Sequence, residues 1–331
     1  YPMRPHQGSL LAIPLALSLA VACIPKRHPA DAVPHQIGGN PIAGETLYVD
    51  PNTAARHTAE NWRSSRPADA AAMDKIANQA AAEWLGEWSG NVRNYAKQRV
   101  SIISKAGALP VFIAYDAPDR DCGQYSAGGA DNTSEYLQWI ADLGNGIGEH
   151  KAVVILEPDL LGLIEKCTAS NAQASRYAML REAVKTLKAY PKLVLYLDAG
   201  NPNWIAAPDM AKRLQNAGIE YADGFSLNVS NYVDTPANLA YGKAISALLG
   251  GVHFVIDTSR NGNGAPEDKA WCNPPGRALG LRPTANTGEP LCDAFLWLKR
   301  PGESDGACNG GPRAGDFWPV QALDLAKGAR W

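Results

Sequence analysis

The sequence predicts an α/β protein of one domain, built on a parallel sheet that closes into a (β/α) barrel. Seven short runs rich in Val, Ile, Leu, Phe and Tyr alternate with longer stretches that have the apolar spacing of helices. The short runs are apolar throughout, as expected of strands covered on both faces. From residue 40 onward no linker, repeat or change of composition divides the chain, so we expect one domain over 33–331.

Composition narrows the class of protein further. The chain has 331 residues, 46% of them hydrophobic and 19% charged, which predicts a folded domain with a large core rather than a disordered chain. Its net charge of -2 gives no basic surplus for nucleic acid or an anionic membrane surface. We therefore expect no nucleic-acid partner.

The N-terminal segment is expected to lie outside the domain. Arg4 precedes an apolar run, Leu10–Ala22, that is shorter than the roughly 20 residues of a membrane span and is typical of a secretory signal peptide. Cleavage after Ala32 would remove residues 1–32. Cleavage before Cys23 is the alternative and would produce a lipid-anchored form. The sequence predicts secretion, with no membrane span.

The predicted strands follow one another between helical segments such as Ser134–Leu143 and Ala172–Ala189. In chain order, the strands are Thr46–Asp50, Pro110–Tyr115, Ala152–Glu157, Leu193–Asp198, Phe225–Val229, Val252–Asp257 and Ala294–Lys299.

Polar side chains gather where these strands end. In a parallel barrel the carboxyl ends of the strands share one face, and that face carries the active site. The acidic clusters at these ends are Asp116 with Asp121, Glu157 with Asp159, Asp198, Asp257, and Glu303 with Asp305. Each aspartate alone could be a helix N-cap. Together their mutual repulsion would cost stability, which favours a functional site.

Tryptophan accompanies the acids. Of nine in the chain, Trp84, Trp88, Trp204 and Trp271 lie near acidic clusters in the sequence. Core packing is the alternative for each of them. Indole faces stack on pyranose rings, however, and carboxylates bind sugar hydroxyls. The combination indicates glycoside hydrolysis, which normally uses two carboxyl groups.

Other chemistries lack the residues that they need. Gly302–Gly306 fits the Gly-x-Ser-x-Gly motif of serine hydrolases, but no helix pattern follows it and no His lies beyond His253. No phosphate-binding loop or dinucleotide fingerprint occurs, which disfavours a barrel enzyme acting on phosphorylated metabolites. The Cys and His spacings fit no metal site, so we expect neither a metal nor a cofactor.

Six segments of the chain together resemble glycoside hydrolase family 6, in the right order and over roughly residues 40–330. The segments are 40–51, 115–123, 156–159, 196–200, 227–232 and 299–306. The resemblance implies a distorted, seven-stranded parallel (β/α) barrel, similar to a TIM barrel. It also implies an inverting β-1,4-glucanase, a cellulase whose partners are β-1,4-glucan and cello-oligosaccharides.

The resemblance assigns catalytic roles to four residues. Asp159 matches the general acid of a Glu-Pro-Asp motif, and such an acid needs a raised pKa. Asp121 matches a carboxylate that disfavours ionisation of Asp159. Asp305 matches the proposed base, acting directly or through a chain of waters. Tyr115 matches the tyrosine that crowds the distorted sugar at the cleavage point.

The resemblance also implies the substrate contacts, among which the three tryptophans are stacking platforms and Asp198 shapes the site. The expected contacts are Trp84, Asp198, Asn201, Trp204, Asn228, Trp271, Lys299, Glu303, Arg120 and Ser126. Asn201 departs from the family, which usually has His there. An Asn can bind a hydroxyl but cannot titrate. Ser304 is a second, conservative departure.

Six cysteines are present, and loss of Cys23 with the leader would leave an odd number. The resemblance implies the disulfides Cys122–Cys167 and Cys272–Cys308. Cys292 is then a buried free thiol next to strand seven.

Two short stretches favour internal cleavage of the glucan chain. The segments from Cys122 to Ser134 and from Cys308 to Phe317 lack the insertions that a tunnel-forming cellobiohydrolase would need. We expect an open cleft, an endoglucanase and a monomer. No carbohydrate-binding module is apparent, which favours soluble or amorphous glucan. A cellobiohydrolase and a non-catalytic glucan-binding relative are the alternatives.

Overall fold

The structure is a computed structural model that describes residues 33–34 and 38–331. The predicted signal peptide and Cys23 lie outside the described residues. Among the residues that are described, no helix is long and apolar enough to cross a membrane.

Seven parallel strands form one curled sheet, in which each strand pairs with the next along the chain. The strands are β1 (Glu83–Leu85), β2 (Val111–Ala114), β3 (Ala152–Leu156), β4 (Leu193–Asp198), β5 (Gly224–Leu227), β6 (His253–Asp257) and β7 (Cys292–Leu296). Two hydrogen bonds link the edges of the sheet: the Ala82 amide donates to the Trp297 carbonyl, and the Trp84 indole donates to the Leu298 carbonyl, both at 2.8 Å. The predicted seven-stranded, distorted barrel is confirmed.

Helices cover the outside of the sheet. They are α1 (Ala54–Trp62), α2 (Pro67–Ala77), α3 (Val92–Lys105), α4 (Thr133–Ile147), α5 (Leu160–Cys167), α6 (Gln173–Lys188), α7 (Ala207–Ala217), α8 (Thr235–Leu248) and α9 (Pro319–Gly328). Side-chain caps begin several of them, because a helix leaves its first amides without partners. Asn132 accepts from the amide of Glu135 at 3.1 Å, and Asp234 accepts from that of Ala237 at 2.8 Å.

The strands are apolar on both faces, as the sequence predicts. Phe112 and Leu195 belong to a buried cluster shared with the surrounding helices. The alternate residues Ile113, Ile155 and Tyr196 belong to a second cluster, drawn mainly from the strands, that fills the barrel interior. The framework beneath the strand ends is therefore a packed core.

One strand assignment was wrong. Thr46–Asp50 is not a strand; it makes a single bridge, between Leu47 and Leu109. Its Asp50 is instead drawn to Arg99, at 2.6 Å. The first strand is β1, which has only three residues before Gly86. A segment of three residues gives almost no periodic signal.

Two disulfides brace the loops at the carboxyl ends of the strands. Cys122–Cys167 ties the turn after β2 to the end of α5, and Cys272–Cys308 ties the β6–β7 loop to the segment after β7. These are the pairs that the resemblance implies. Cys292 is free and buried in β7, and its burial raises the pKa of the thiol to about 12.

Candidate active site

A cleft of about 920 Å³ opens at the carboxyl ends of the strands. Most of the predicted site residues line it. Those that do are Asp121, Asp159, Asp305, Tyr115, Trp84, Asn201, Trp204, Trp271, Lys299, Glu303, Arg120 and Ser126. Asp198 and Asn228 lie behind its wall. Of the eight acids at the predicted strand ends, four therefore line the cleft, namely Asp121, Asp159, Glu303 and Asp305.

Asp159 has the environment of a protonated acid. It immediately precedes α5, and its carboxyl group faces the cleft. Burial raises the pKa of this carboxyl well above its ordinary value, and the neighbouring charges of Asp198, Asp121 and Asp305 raise it further. Lys299 opposes them, with a smaller effect. Asp159 can therefore hold a proton at a pH where an exposed carboxylate has lost it.

Asp198 positions Asp159 from behind. Its Oδ2 accepts the amide N–H of Asp159 at 3.0 Å and that of Gly200 at 3.1 Å. Asp198 is buried, and burial raises its pKa to about 7. The hydrogen bonds of Asp198 lie within the protein, so it shapes the site through the Asp159 backbone, and its expected contact with sugar stays a prediction.

Asp121 is held by the loop that follows β2. Its Oδ2 accepts the Ser126 amide at 2.8 Å, and burial raises the pKa of its carboxyl. Arg120 organises this loop: its Nε donates to the Ser126 carbonyl at 2.7 Å, and its two Nη atoms pair with Glu87 at 2.5 and 2.8 Å. Nη1 also reaches the Tyr115 carbonyl, at 2.8 Å. The donors of Arg120 are thus engaged by the protein and hold the loop that carries Asp121, while its expected contact with sugar stays a prediction.

Asp305 sits in a buried ion pair. Arg260 Nη1 lies 2.9 Å from Asp305 Oδ1, while the Tyr232 hydroxyl donates at 2.9 Å and the Asn273 amide at 3.0 Å to Oδ2. Sequence reasoning missed these three partners. The available signal was position, because Arg260 lies three residues beyond Asp257, at the end of β6. The Arg260 guanidinium thus places a positive charge directly against the Asp305 carboxyl group.

Aromatic side chains form much of the cleft wall. Trp84 meets Tyr115 edge-to-face, with the ring centroids 5.2 Å apart. Trp204 is 37% exposed and packs on Gly162, where a Cβ would come within 2.6 Å of the indole. Trp271 is 43% exposed, and its ring lies 6.0 Å from that of Tyr125. Exposed indoles in a cleft suit the apolar face of a sugar ring.

Three further residues acquire definite roles. Lys299 lies 5.7 Å from the Trp84 ring, and burial lowers its pKa. Asn201 accepts the Asn203 amide at 3.0 Å, which forms the turn leading to Trp204. Ser304 is buried and donates to the Pro312 carbonyl at 2.9 Å, so it is not placed as a nucleophile.

Asn228 lies behind the cleft wall, where its side chain joins neighbouring loops. It is buried, its Nδ2 donates to the Asp257 carbonyl at 2.9 Å, and its Oδ1 accepts the Val233 amide at 3.1 Å. Asp257 in turn accepts the amides of Ser230 and Lys299, both at 3.0 Å. Both residues hold the loops together from buried positions, and the expected contact of Asn228 with sugar stays a prediction.

The comparisons with known proteins agree with this geometry. The family model of Glycosyl hydrolases family 6 matches residues 42–329. The chain belongs to glycosyl hydrolase family 6. The seven-stranded barrel and the cleft at its carboxyl edge are thus those of a glycoside hydrolase.

The relatives of this family 6 chain are named as endoglucanases or as 1,4-beta-D-glucan cellobiohydrolases. "Endoglucanase A" of Cellulomonas fimi is 44% identical over 86% of this chain, and this chain spans 62% of its length. "Endoglucanase 1" of Streptomyces halstedii is 42% identical, over 97% of this chain and 98% of the relative. A less similar relative, a "Probable 1,4-beta-D-glucan cellobiohydrolase C" of Neosartorya fischeri, is 32% identical over 82% of this chain and 70% of its own length.

A solved structure supports the same assignment. The endoglucanase Cel6 of Mycobacterium tuberculosis, in complex with methyl-cellobiosyl-4-deoxy-4-thio-beta-D-cellobioside, superposes with a TM-score of 0.84. It is 42% identical, and the match covers 88% of this chain and all of that one.

Strained backbone marks the same edge of this family 6 domain. Non-glycine residues with positive φ occur in the loops after β2, β3, β5, β6 and β7. They are Asp119, Asp121, Cys122, Glu157, Asp159, Asn228, Ser230, Lys269, Asn273 and Asn309. Such conformations persist where the surrounding structure enforces them, and they concentrate at functional sites.

In the described ranges, no group of three or more His, Cys, Asp or Glu side chains could hold a metal ion.

Proposed function

We propose that this protein is a secreted, inverting endo-β-1,4-glucanase that cuts internal bonds of cellulose-type glucans. One observation carries the proposal: Asp159, with a raised pKa, and Asp305, paired with Arg260, face a single cleft walled by exposed indoles. The names of the relatives in family 6 support the same substrate. Because this chain spans 62% of the length of the Cellulomonas fimi relative, the activity is stated here as a proposal.

In the proposed reaction, two carboxyl groups act on opposite sides of one glycosidic bond. Asp159 transfers its proton to the glycosidic oxygen as the bond from that oxygen to the anomeric carbon breaks. A water attacks the anomeric carbon from the opposite face, and its proton passes to Asp305, directly or through a second water. Tyr115, buried beside Trp84, packs against the sugar at the cleavage point. Attack from the opposite face inverts the anomeric configuration.

Internal cleavage is favoured over attack at a chain end. The loop between Cys122 and α4 is short, and so is the segment between Cys308 and α9. The most similar curated relatives named above are endoglucanases, and the cellobiohydrolase is less similar. A non-catalytic glucan-binding role is disfavoured because Asp121, Asp159 and Asp305 all line the cleft.

Secretion and a monomeric state belong to the same proposal. Two disulfides suit an oxidising compartment, where such bonds persist. The partner is then extracellular β-1,4-glucan and the cello-oligosaccharides released from it. Cleavage after Ala32 is the expected processing, and the mass of the secreted protein would test it.

The stereochemistry of the product and one variant test the reaction. We expect proton NMR of fresh cello-oligosaccharide product to show the α-anomer first. Asp159→Asn should lower turnover on unactivated glucan by about 10²- to 10⁴-fold, and by much less on a substrate whose leaving group needs no proton. Asp142→Asn, on the outer helix α4, is the control. A β-anomer at the start, or full activity in Asp159→Asn, would refute the mechanism.

A further inference from the structure

Trp88 is an exposed indole that the catalytic account does not use. It lies in the short turn Glu87–Ser89 after β1, is 54% exposed, and lines the same cleft as Asp159. The stacking positions that the family resemblance implies are Trp84, Trp204 and Trp271. They do not include Trp88. Its place on the wall therefore needs an explanation of its own.

Two groups of the protein lie against the Trp88 ring. The ring packs so closely on Gly86 that a Cβ there would come within 2.6 Å of it. The Arg120 guanidinium lies 4.9 Å from the ring centroid, a cation–π contact. Because Arg120 is itself locked by Glu87, Ser126 and the Tyr115 carbonyl, the indole is held in place before any ligand arrives.

Trp88 is nevertheless about half exposed and lines the cleft in which the substrate chain would lie. A preorganised aromatic face binds a pyranose with little loss of conformational entropy. Glu87, next in sequence, is about half exposed and offers a carboxylate edge beside the ring. An apolar platform next to a hydroxyl acceptor is suited to a glucosyl unit.

We propose that Trp88 is an additional sugar-binding subsite, which takes one glucosyl unit of a β-1,4-glucan at the β1 side of the cleft. This inference rests on the proposed function. Arg120 lies 4.9 Å from the ring centroids of both Trp88 and Tyr115. The arginine that holds the Asp121 loop thus also supports the Trp88 ring, on which the glucosyl unit would stack. The subsite raises the binding affinity for long chains and leaves the affinity for short oligosaccharides unchanged.

Oligosaccharide binding measured against chain length tests the subsite. The variants Trp88→Ala and Trp88→Phe are placed in an Asp159→Asn background, so that calorimetry with cellotriose and cellohexaose is free of hydrolysis. For Trp88→Ala we expect Kd for cellohexaose to rise about five- to tenfold and Kd for cellotriose to stay constant. Trp88→Phe, which keeps a planar ring, should fall between Trp88→Ala and the background. Trp62→Ala is the matched control, since Trp62 stacks on Arg66 at 3.9 Å away from the cleft.

The outcomes separate this inference from the proposed function. An unchanged Kd for cellohexaose in both Trp88 variants would overturn the subsite. Equal weakening for both sugar lengths would also overturn it, because that pattern indicates a structural role for the ring against Arg120. If the Asp159→Asn background bound neither sugar, the proposed function would fail, and the subsite with it.

Discussion

Asp159 depends on its neighbours for the proton that it carries. Burial has the largest effect on its pKa, and the carboxylates of Asp198, Asp121 and Asp305 follow. Each of these negative charges disfavours a second negative charge nearby. The strength of the acid is thus set by its burial and by carboxylates from three other segments of the chain.

Removing one of these charges should move the pH profile. Asp121→Asn takes away a negative neighbour, so the pKa of Asp159 should fall. Because the reaction needs Asp159 protonated, the alkaline limb of kcat/KM should shift to lower pH, in addition to any loss of rate. Asp119→Asn, an exposed change in the same loop with the same left-handed backbone, should leave the limb in place. An alkaline limb that stayed in place in Asp121→Asn would show that Asp121 does not set this pKa.

At the residue scale, the sequence predicts the acids better than the groups that hold them. Asp121, Asp159 and Asp305 follow predicted strands and belong to distinctive motifs. The Arg260–Asp305 ion pair joins residues 45 positions apart, on the loops that follow two neighbouring strands. No local pattern encodes such a pairing, and only the barrel brings the two side chains together. For the same reason the sequence does not reveal that Asn228 hydrogen-bonds backbone groups of two loops.

At the scale of elements, the loops rather than the strands carry the chemistry, and the disulfides constrain them. Cys122–Cys167 spans 45 positions and adjoins Asp121. Cys272–Cys308 spans 36 positions and lies between Trp271 and the segment that carries Asp305. By loop-closure entropy, each bridge would stabilise the fold by about 4 kcal/mol, with measured values often smaller.

Loss of the first bridge should therefore affect both stability and activity. We expect the double variant Cys122→Ser, Cys167→Ser to lose about 2–4 kcal/mol of unfolding free energy in urea, and to lose activity as the Asp121 loop loosens. Cys272→Ser with Cys308→Ser should lose a similar amount of stability. Cys292→Ala, which breaks no bridge, is the control. Unchanged stability in the first double variant would refute the bracing role of that bridge.

Strand prediction succeeded where the apolar run was long. β3 and β4 are buried along their whole length, and their predicted bounds agree with the structure to within a residue. The prediction misses β1 because three residues between a loop and Gly86 carry no periodicity. From the sequence, Trp84 in this strand is identified only as an aromatic residue of the site. Its strand character comes from pairing with β2, at Trp84 opposite Ile113. Such tertiary pairing overrides weak local preference.

At the scale of the whole molecule, buried carboxyl groups make the free energy of unfolding depend on pH. Asp116, Glu157 and Asp198 are buried, and burial raises the pKa of each to about 7 from ordinary values near 4. Between those two pH values the folded state binds more protons than the unfolded chain. The contribution of these groups to stability is therefore full below about pH 4 and is lost as the pH rises toward 7.

Urea unfolding at several pH values tests this pH dependence of stability. The unfolding free energy should fall between about pH 5 and pH 7, and Asp116→Asn should reduce that slope by up to about one proton. Asp142→Asn, on the outer surface, should leave the slope unchanged. Stability that rises over this range would mean that the three carboxyls are ionised in the folded protein.

The most direct test of the central claim is a single incubation of the protein with soluble substituted cellulose, in which viscosity and reducing ends are followed together. An endoglucanase cuts long chains internally, so viscosity should collapse while few reducing ends have formed. Asp159→Asn, run in parallel, should change neither. Reducing ends that accumulate with little loss of viscosity would contradict internal cleavage, and no change in either quantity for the wild-type protein would contradict glucan hydrolysis itself.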